Sequence, residues 1–506
     1  MRGDRAASHC CRATRSSSNL SEWFVLDAVR ARQGLRLAAD RESSLMAHFR
    51  PLVIALAAAP LLAVMPATAH SPQAPAAPVA VDAKAAPAEV LFRNVRVFDG
   101  KTARLTAPSN VLVKGNSIAA IGEAAASSTA TVIDGGGRTL MPGLIDAHWH
   151  SMMAAIPLKD GLSAHPGFIN IVAAGAAKDT LMRGFTSVRD LAGPAWGLKR
   201  AIDEGVTPGP RIWPSGAMIS QTSGHADYRA FSDLPRSPSS PPHSTEVMGA
   251  ARIADGPDEV RRAVREQLMM GASQIKLAAG GGVSSNFDPL DVAQYGEEEF
   301  RAAVESAENW GTYVGVHAYT PRAIQAAIKA GVRVIDHGQL MDDASAKLMA
   351  EKGVWLSMQP FLDDEDANPF PEGSANREKQ LEMTRGTDSA YALAKKYRLK
   401  TAWGTDTLFD AKLAARQGAQ LAKMVRWYTP GEVLVMATGT NAELLALSGK
   451  RAPYKGRLGV VEVGALADLL LVDGDPMADI NLLADPERRL LVIMKDGKLY
   501  KNRLTH

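Results

Sequence analysis

His148 and His150 close the stretch Leu-Met-Pro-Gly-Leu-Ile-Asp-Ala-His-Trp-His that begins at Leu140. Gly143 to Ala147 read as a short buried strand, and side chains two apart on a strand share a face. Two imidazoles side by side can supply half of a metal site. A bare His-x-His is a weak signal, because histidine pairs on surfaces are common, so the other residues decide. Lys276 lies in Gln-Ile-Lys-Leu-Ala-Ala and precedes Gly280, Gly281 and Gly282. An inward lysine among apolar neighbours is costly unless it is paired or chemically changed; the alternative is a buried stem with its ammonium in solvent. A desolvated amine reacts with carbon dioxide, and the carbamate would be a two-oxygen anionic bridge between cations. His317 and His337 each follow an apolar run and suit a second metal, although either alone could be a packed histidine with one hydrogen bond. Asp406, in Trp-Gly-Thr-Asp, could ligate a metal and accept a proton from water, or cap a helix.

These side chains need a frame that brings them together. Candidate strands are Gly143–His148, Phe185–Arg189, Arg211–Ser215, Gln274–Ala278, Tyr313–His317, Val332–Asp336, Trp355–Gln359 and Thr401–Gly404. Helical patterns such as Pro257–Met270, Glu297–Trp310 and Pro321–Ala330 lie between them. Strands alternating with helices in this number predict an α/β chain with a (β/α)₈ barrel of the TIM type over residues 142–451; a doubly wound open sheet is the alternative. A barrel carries its chemistry at the C-terminal strand ends, and four of the 11 histidines, with Lys276 and Asp406, fall there. Residues 89–141 and 452–506 instead show short alternating strands with Asp-Gly and Gly-Asn turns. They predict one small β-sandwich domain built from both ends of the chain. Two long loops, Phe231–Asp258 after the third strand and Phe361–Thr387 after the seventh, are expected to shape the pocket.

The composition is ordinary for a globular chain, with 46% apolar and 22% charged residues and a net charge of +3. Residues 1–69 carry nine Arg against five Asp or Glu, which leaves the remainder near neutrality and argues against a nucleic-acid partner. From Met46 a basic start, the apolar run Pro51–Val64 and Ala-Thr-Ala ending at Ala69 read as a signal peptide over residues 46–69. The run is short for a membrane span, so stable anchoring is not expected. Export to the periplasm or medium follows, with residues 70–88 as an Ala/Pro-rich linker. Residues 1–45 show no organised pattern, and translation is expected to start at Met46. Cys10 and Cys11, the two cysteines, lie in that leading segment; the mature chain would hold no disulfide, cysteine-ligated zinc or thiol nucleophile.

His148, His150, Lys276, His317, His337 and Asp406, in that order on a barrel, resemble the amidohydrolase superfamily with a binuclear metal centre. Gly-Phe-Thr-Ser-Val-Arg-Asp ending at Asp190, Ile-Lys-Leu-Ala-Ala-Gly-Gly-Gly from Ile275 and Asp-His-Gly from Asp336 are similar to its prolidase-like branch. That branch contains exported dipeptidases and ochratoxin A amidohydrolases. The resemblance spans roughly residues 89–506 and implies those six residues as ligands of two divalent ions, with carbon dioxide carried as a carbamate on Lys276. Zinc suits a nitrogen-rich donor set. The ions would acidify a shared water and polarise the scissile carbonyl, while Asp406 takes the proton and returns it to the leaving amine. The substrate would be a dipeptide or other small-molecule amide, and the family is compatible with a homo-oligomer. His225, in Gln-Thr-Ser-Gly-His-Ala-Asp, would bind the carbonyl oxygen or the substrate carboxylate; the branch often has a glycine where this chain has Ser223 or Ala226. Tyr319 would donate to a developing oxyanion or serve structurally. Gly281 and Gly282 would let substrate approach the backbone. Arg189 and Asp190 are expected to form a structural ion pair beneath the site. A cyclic-amide hydrolase shares the lysine and stays open; a deaminase, which lacks it, is disfavoured, as is a silent barrel scaffold, because no ligand is lost.

Overall fold

The computed structural model of the protein describes residues 88–237 and 239–504. The expected leader, its cleavage point, both cysteines and the linker up to residue 87 lie outside the described residues.

The first five strands are β1 (Glu89–Phe98), β2 (Leu105–Lys114), β3 (Ser117–Ile121), β4 (Thr131–Asp134) and β5 (Thr139–Pro142). One edge of β1 pairs antiparallel with β2. Its other edge pairs in parallel with β4 over Val90–Arg93 and then with β5 over Arg96–Val97. Asn94, at a left-handed φ of 53°, sits at the changeover. Asparagine tolerates that conformation because its short polar side chain can hydrogen-bond locally.

A parallel repeat follows: β6 (Leu144–Trp149), β7 (Phe185–Asp190), β8 (Arg211–Pro214), β9 (Met218–Ser220), β10 (Ala251–Ile253), β11 (Ile275–Ala278), β12 (Val314–Ala318), β13 (Val334–His337), β14 (Trp355–Met358) and β15 (Thr401–Trp403). β6-β7-β8 form one sheet and β10-β9-β11-β12-β13-β14-β15 a second. Every predicted strand is present, its ends displaced by no more than two residues; β9 and β10 are additions. The helices between them follow their patterns. Pro257–Met270 begins on a proline, buries Val260, Ala263, Val264, Gln267 and Leu268 on one face, and stops at Gly271, whose φ is 102°.

Hydrogen bonds join the two parallel sheets at both edges. At one edge Ser273 N donates to Pro214 O (2.8 Å). At the other, Asn441 Nδ2 donates to Ile145 O (2.7 Å) and Trp403 O (2.8 Å), and Asp406 N to His148 O (2.8 Å). The last approach requires Gly404, since a Cβ there would stand 2.4 Å from His148 N. Gly143 has the same kind of role where β5 gives way to β6: a Cβ would meet Thr186 Oγ1 at 2.1 Å.

The chain then returns as β16 (Leu469–Val472), β17 (Leu490–Lys495) and β18 (Lys498–Asn502), with β16 antiparallel to β5. Both ends therefore join in one mixed sheet, β18-β17-β16-β5-β1-β2-β3, with β4 branching from β1. The sheet forks at β1, because β4 and β5 take successive stretches of the same edge of that strand. Phe92, Val95, Ile133, Leu140, Leu471 and Val492 are among the buried residues of its core.

Candidate active site

Side chains at the C-terminal ends of the parallel strands surround a cavity of about 230 Å³. His148, His150, Lys276, His317, His337, Asp406, His225 and Tyr319 all line it. In-register parallel pairing does much of the positioning: Ala278 lies opposite His317, and Ala318 opposite His337. Neighbouring strand ends thus deliver Lys276, His317 and His337 to one side. The rings of His317 and His337 are 4.4 Å apart between centroids, and those of His148 and His337 4.9 Å. From the far seam, Asp406 Oδ1 lies 2.8 Å from His150 Nε2 and 3.2 Å from His148 Nε2.

One donor atom each from His148, His337 and Asp406 falls within 4.8 Å of the others, a group that could hold a metal ion. Two imidazoles and a carboxylate suit a divalent cation. Both Asp406 (φ 52°) and His337 (φ 82°) take left-handed backbone to get there. Such strain in non-glycine residues concentrates at functional sites. Asp406 is no helix cap: Asp410 caps the following helix, Ala411–Ala415.

Lys276 is fully buried and its Nζ is 2.6 Å from Asp336 Oδ2. Asp336 also accepts from Arg189 Nη1 at 2.9 Å. Burial opposes charge on all three. Asp336 nevertheless stays well below the usual carboxylate range, held by Arg189 and Lys276, whereas burial pulls Lys276 down. The two shifts disagree for one ion pair. Arg189, which cannot give up its proton, is the lasting partner of Asp336, so the Lys276 amine is the group that burial can neutralise. The expected Arg189–Asp190 pair is absent; adjacent residues on β7 face opposite ways, and Asp190 instead accepts from Ser151 N (2.7 Å).

Burial also keeps His148 (lowered to about 4), His317 and His337 neutral, and it raises Asp146 and Asp190 to about 6. The histidines lose folded-state stability as pH falls below their unfolded value, because the unfolded chain then binds the extra protons. The two carboxyls act oppositely, since the folded chain holds their protons. The histidines outnumber the two carboxyls, so metal-free protein is expected to lose stability on acidification below about pH 6.5, the ordinary histidine value. Denaturant unfolding at stepped pH would measure it; a flat profile would contradict it.

His225 stacks on His317 with centroids 4.0 Å apart. Its Nδ1 meets Ser285 Oγ at 2.7 Å, and Ser285 donates onward to the buried Asp288. The turn carrying it stays left-handed at both positions where the related branch often has glycine, Ser223 (φ 60°) and Ala226 (φ 77°). Each costs roughly 1–2 kcal/mol. Ser223 offsets this through its Oγ bond to Phe287 O (2.9 Å), and Ala226 through burial beside Met218 and Ala278. Tyr319 is buried edge-on to His317, at 4.8 Å between centroids, and burial pushes its hydroxyl pKa well up.

The close approach expected of substrate at Gly281 and Gly282 is made by the chain itself. A Cβ on Gly282 would stand 2.0 Å from His225 Nδ1, and one on Gly281 1.9 Å from Pro289 O; neither glycine lines the cavity. Of the long loops, Phe361–Thr387 supplies much of the wall, whereas Phe231–Asp258 contributes Ala250 alone. Sequence reasoning missed the segment Thr407 to Asp410 of that wall, and the partners Asp336, Asp288 and Gln359.

The amidohydrolase family profile matches residues 139–500. The chain belongs to the amidohydrolase family. This amidohydrolase is 34% identical over 375 residues to ochratoxinase of Aspergillus niger, covering 72% of the chain and 75% of that protein. A solved prolidase complexed with N-methylphosphonate-L-proline matches with a TM-score of 0.75 and 35% identity, covering 82% of this chain and 100% of the other. A Xaa-Pro dipeptidase with bound methionine gives 0.71 and 30%, with the same coverage. The likeness puts this amidohydrolase in the prolidase-like branch, and it is a hydrolase of amide or peptide bonds.

Proposed function

We propose that this hydrolase uses two divalent ions, zinc by its donor set, to release the C-terminal amino acid from dipeptides or N-acyl amino acids, ochratoxin A among them. The observation that carries this reading is the convergence of His148, His150, Lys276, His317, His337 and Asp406 on one cavity with an apolar outer wall of Phe361, Phe370, Met383, Phe409 and Leu413. His148, His150 and Asp406 would hold one ion, His317 and His337 the other, and Lys276, as its carbamate, would lie between. Bound there, the ions would acidify water and polarise the scissile carbonyl. Asp406 takes the proton and passes it to the departing amine. His225 and Tyr319 face the cavity as donors to the carbonyl or carboxylate. The apolar wall excludes water and suits a bulky acyl group.

We read the eight main strands as a closed (β/α)₈ barrel, a reading supported by the hydrogen bonds at both seams, with residues 89–141 and 452–506 as the smaller domain. We also read the chain as exported and translated from Met46; an N-terminal peptide from residues 1–45 would refute that start.

The test is amino-acid release by zinc-loaded protein from N-acyl amino acids and dipeptides ending in proline, phenylalanine, leucine or lysine, with ochratoxin A and a hydantoin included. Release of one amino-acid class supports the reading and names the pocket. Turnover of the hydantoin alone would move the enzyme to the cyclic-amide hydrolases. On the best substrate, Gly282→Ala is expected to lower kcat/KM by on the order of 10²-fold, because the added methyl displaces the His225 ring. A rate like that of the parent would remove His225 from the reaction.

A further inference from the structure

Gln359 follows β14 and is fully buried. Its carboxamide lies between two rings of the candidate metal group: Oε1 is 2.8 Å from His337 Nδ1, and Nε2 is 3.2 Å from His148 Nδ1. The orientation of the amide follows from a third contact. Ser357 O, 3.2 Å from Nε2, can only accept, so the NH₂ end must face it. Oε1 is then the atom left for His337, and a carbonyl oxygen can pair only with an N–H. His337 must carry its proton on Nδ1, and its Nε2 keeps the lone pair. His148 Nδ1 lies 3.2 Å from the NH₂ end and 3.6 Å from Asp336 Oδ1, so two groups contend for it, whereas His337 Nδ1, 2.8 Å from Oε1, has Gln359 as its hydrogen-bond partner. His337 needs such a fixture, because its backbone is held left-handed at φ 82°, its ring meets those of His148, His317 and Tyr319 only at tilted or edge-on angles, and the carboxylate oxygen nearest to its Nδ1, Asp406 Oδ2, is 3.9 Å away.

We propose that Gln359 is a positioning residue for metal binding: its carboxamide fixes the ring and tautomer of His337 so that Nε2 is the donor. This rests on the metal-centre reading above. Outer partners of this kind tune affinity without touching the ion.

The experiment is calorimetric titration of the full, metal-stripped chain with zinc chloride, comparing the parent with Gln359→Leu, Gln359→Met and Gln359→Glu, each checked by thermal unfolding without metal. The leucine and methionine variants keep the apolar bulk and lose the acceptor. Zinc affinity at the site that holds His337 is expected to fall roughly 10–100-fold in both, and the glutamate variant, which as the neutral acid its burial favours keeps an acceptor for Nδ1–H and an O–H for Ser357 O, is expected to recover most of it. Parent-like affinity in Gln359→Leu or Gln359→Met would overturn the proposal. So would failure of Gln359→Glu to recover affinity, or unfolding of both apolar variants, which would make the residue a folding element. If the parent itself bound no zinc, the metal-centre reading would fall first, so the two failures are distinguishable.

Discussion

Lys276→Ala is expected to reduce amide turnover on the order of 10³-fold, and a short carboxylic acid such as propionate to restore part of it. The size follows from the proposed role: an anionic bridge that kept two cations in place would support several kcal/mol of transition-state stabilisation, and each 1.36 kcal/mol is tenfold in rate. The fold should survive. Removing one member of a buried pair costs about 3–5 kcal/mol when it strands a charge, but Asp336 keeps Arg189 at 2.9 Å and is not stranded. Truncating a fully buried side chain also leaves a cavity beside the site, and an acid can place its two oxygens there. Rates with and without added acid, with zinc content measured in parallel, check the prediction. Full activity without acid would mean that Lys276 carries no bridge.

The fold was legible where the chain repeats itself. Short strand-like runs alternating with helical patterns such as Pro257–Met270, Glu297–Trp310 and Pro321–Ala330 signal the eight main strands, and His148, His317 and His337 mark strand ends because they agree with one another. β9 and β10 are three residues each, too short for any period to register. The partner of Arg189 was misread for a different reason. Its neighbour Asp190 offered a charge of the right sign, whereas the true partner, Asp336, lies 147 positions away and is found only when parallel strands are set side by side. The same holds for Gln359, which reads as an ordinary polar residue ending a strand until His148 and His337 are placed on either side of it. The purpose of Gly282 is hidden in the same way, since the ring that needs its space belongs to His225, on another strand's loop. Contacts made across the sheet leave no trace in local pattern, and the finer part of a site consists mostly of such contacts.

Asp406→Asn separates a proton-transfer role from a structural one, and it is expected to lower kcat by roughly 10²–10⁴-fold, the range for losing a general base. The substitution is nearly silent for the backbone. Asparagine tolerates the left-handed region as aspartate does, so the φ of 52° remains accessible. The bond from Asp406 N to His148 O (2.8 Å) comes from the main chain and is unchanged. The side chain can still accept from His150 Nε2, now 2.8 Å from Oδ1. It can no longer take a proton. Zinc content decides what a loss of rate means: loss of metal in proportion to rate would make Asp406 chiefly a ligand, whereas retained metal with a collapsed kcat would assign it the proton. Parent-like kcat would reduce Asp406 to a structural link between the first and last strands of the parallel repeat, and the general base would then have to be sought among the other groups facing the cavity, His225 first.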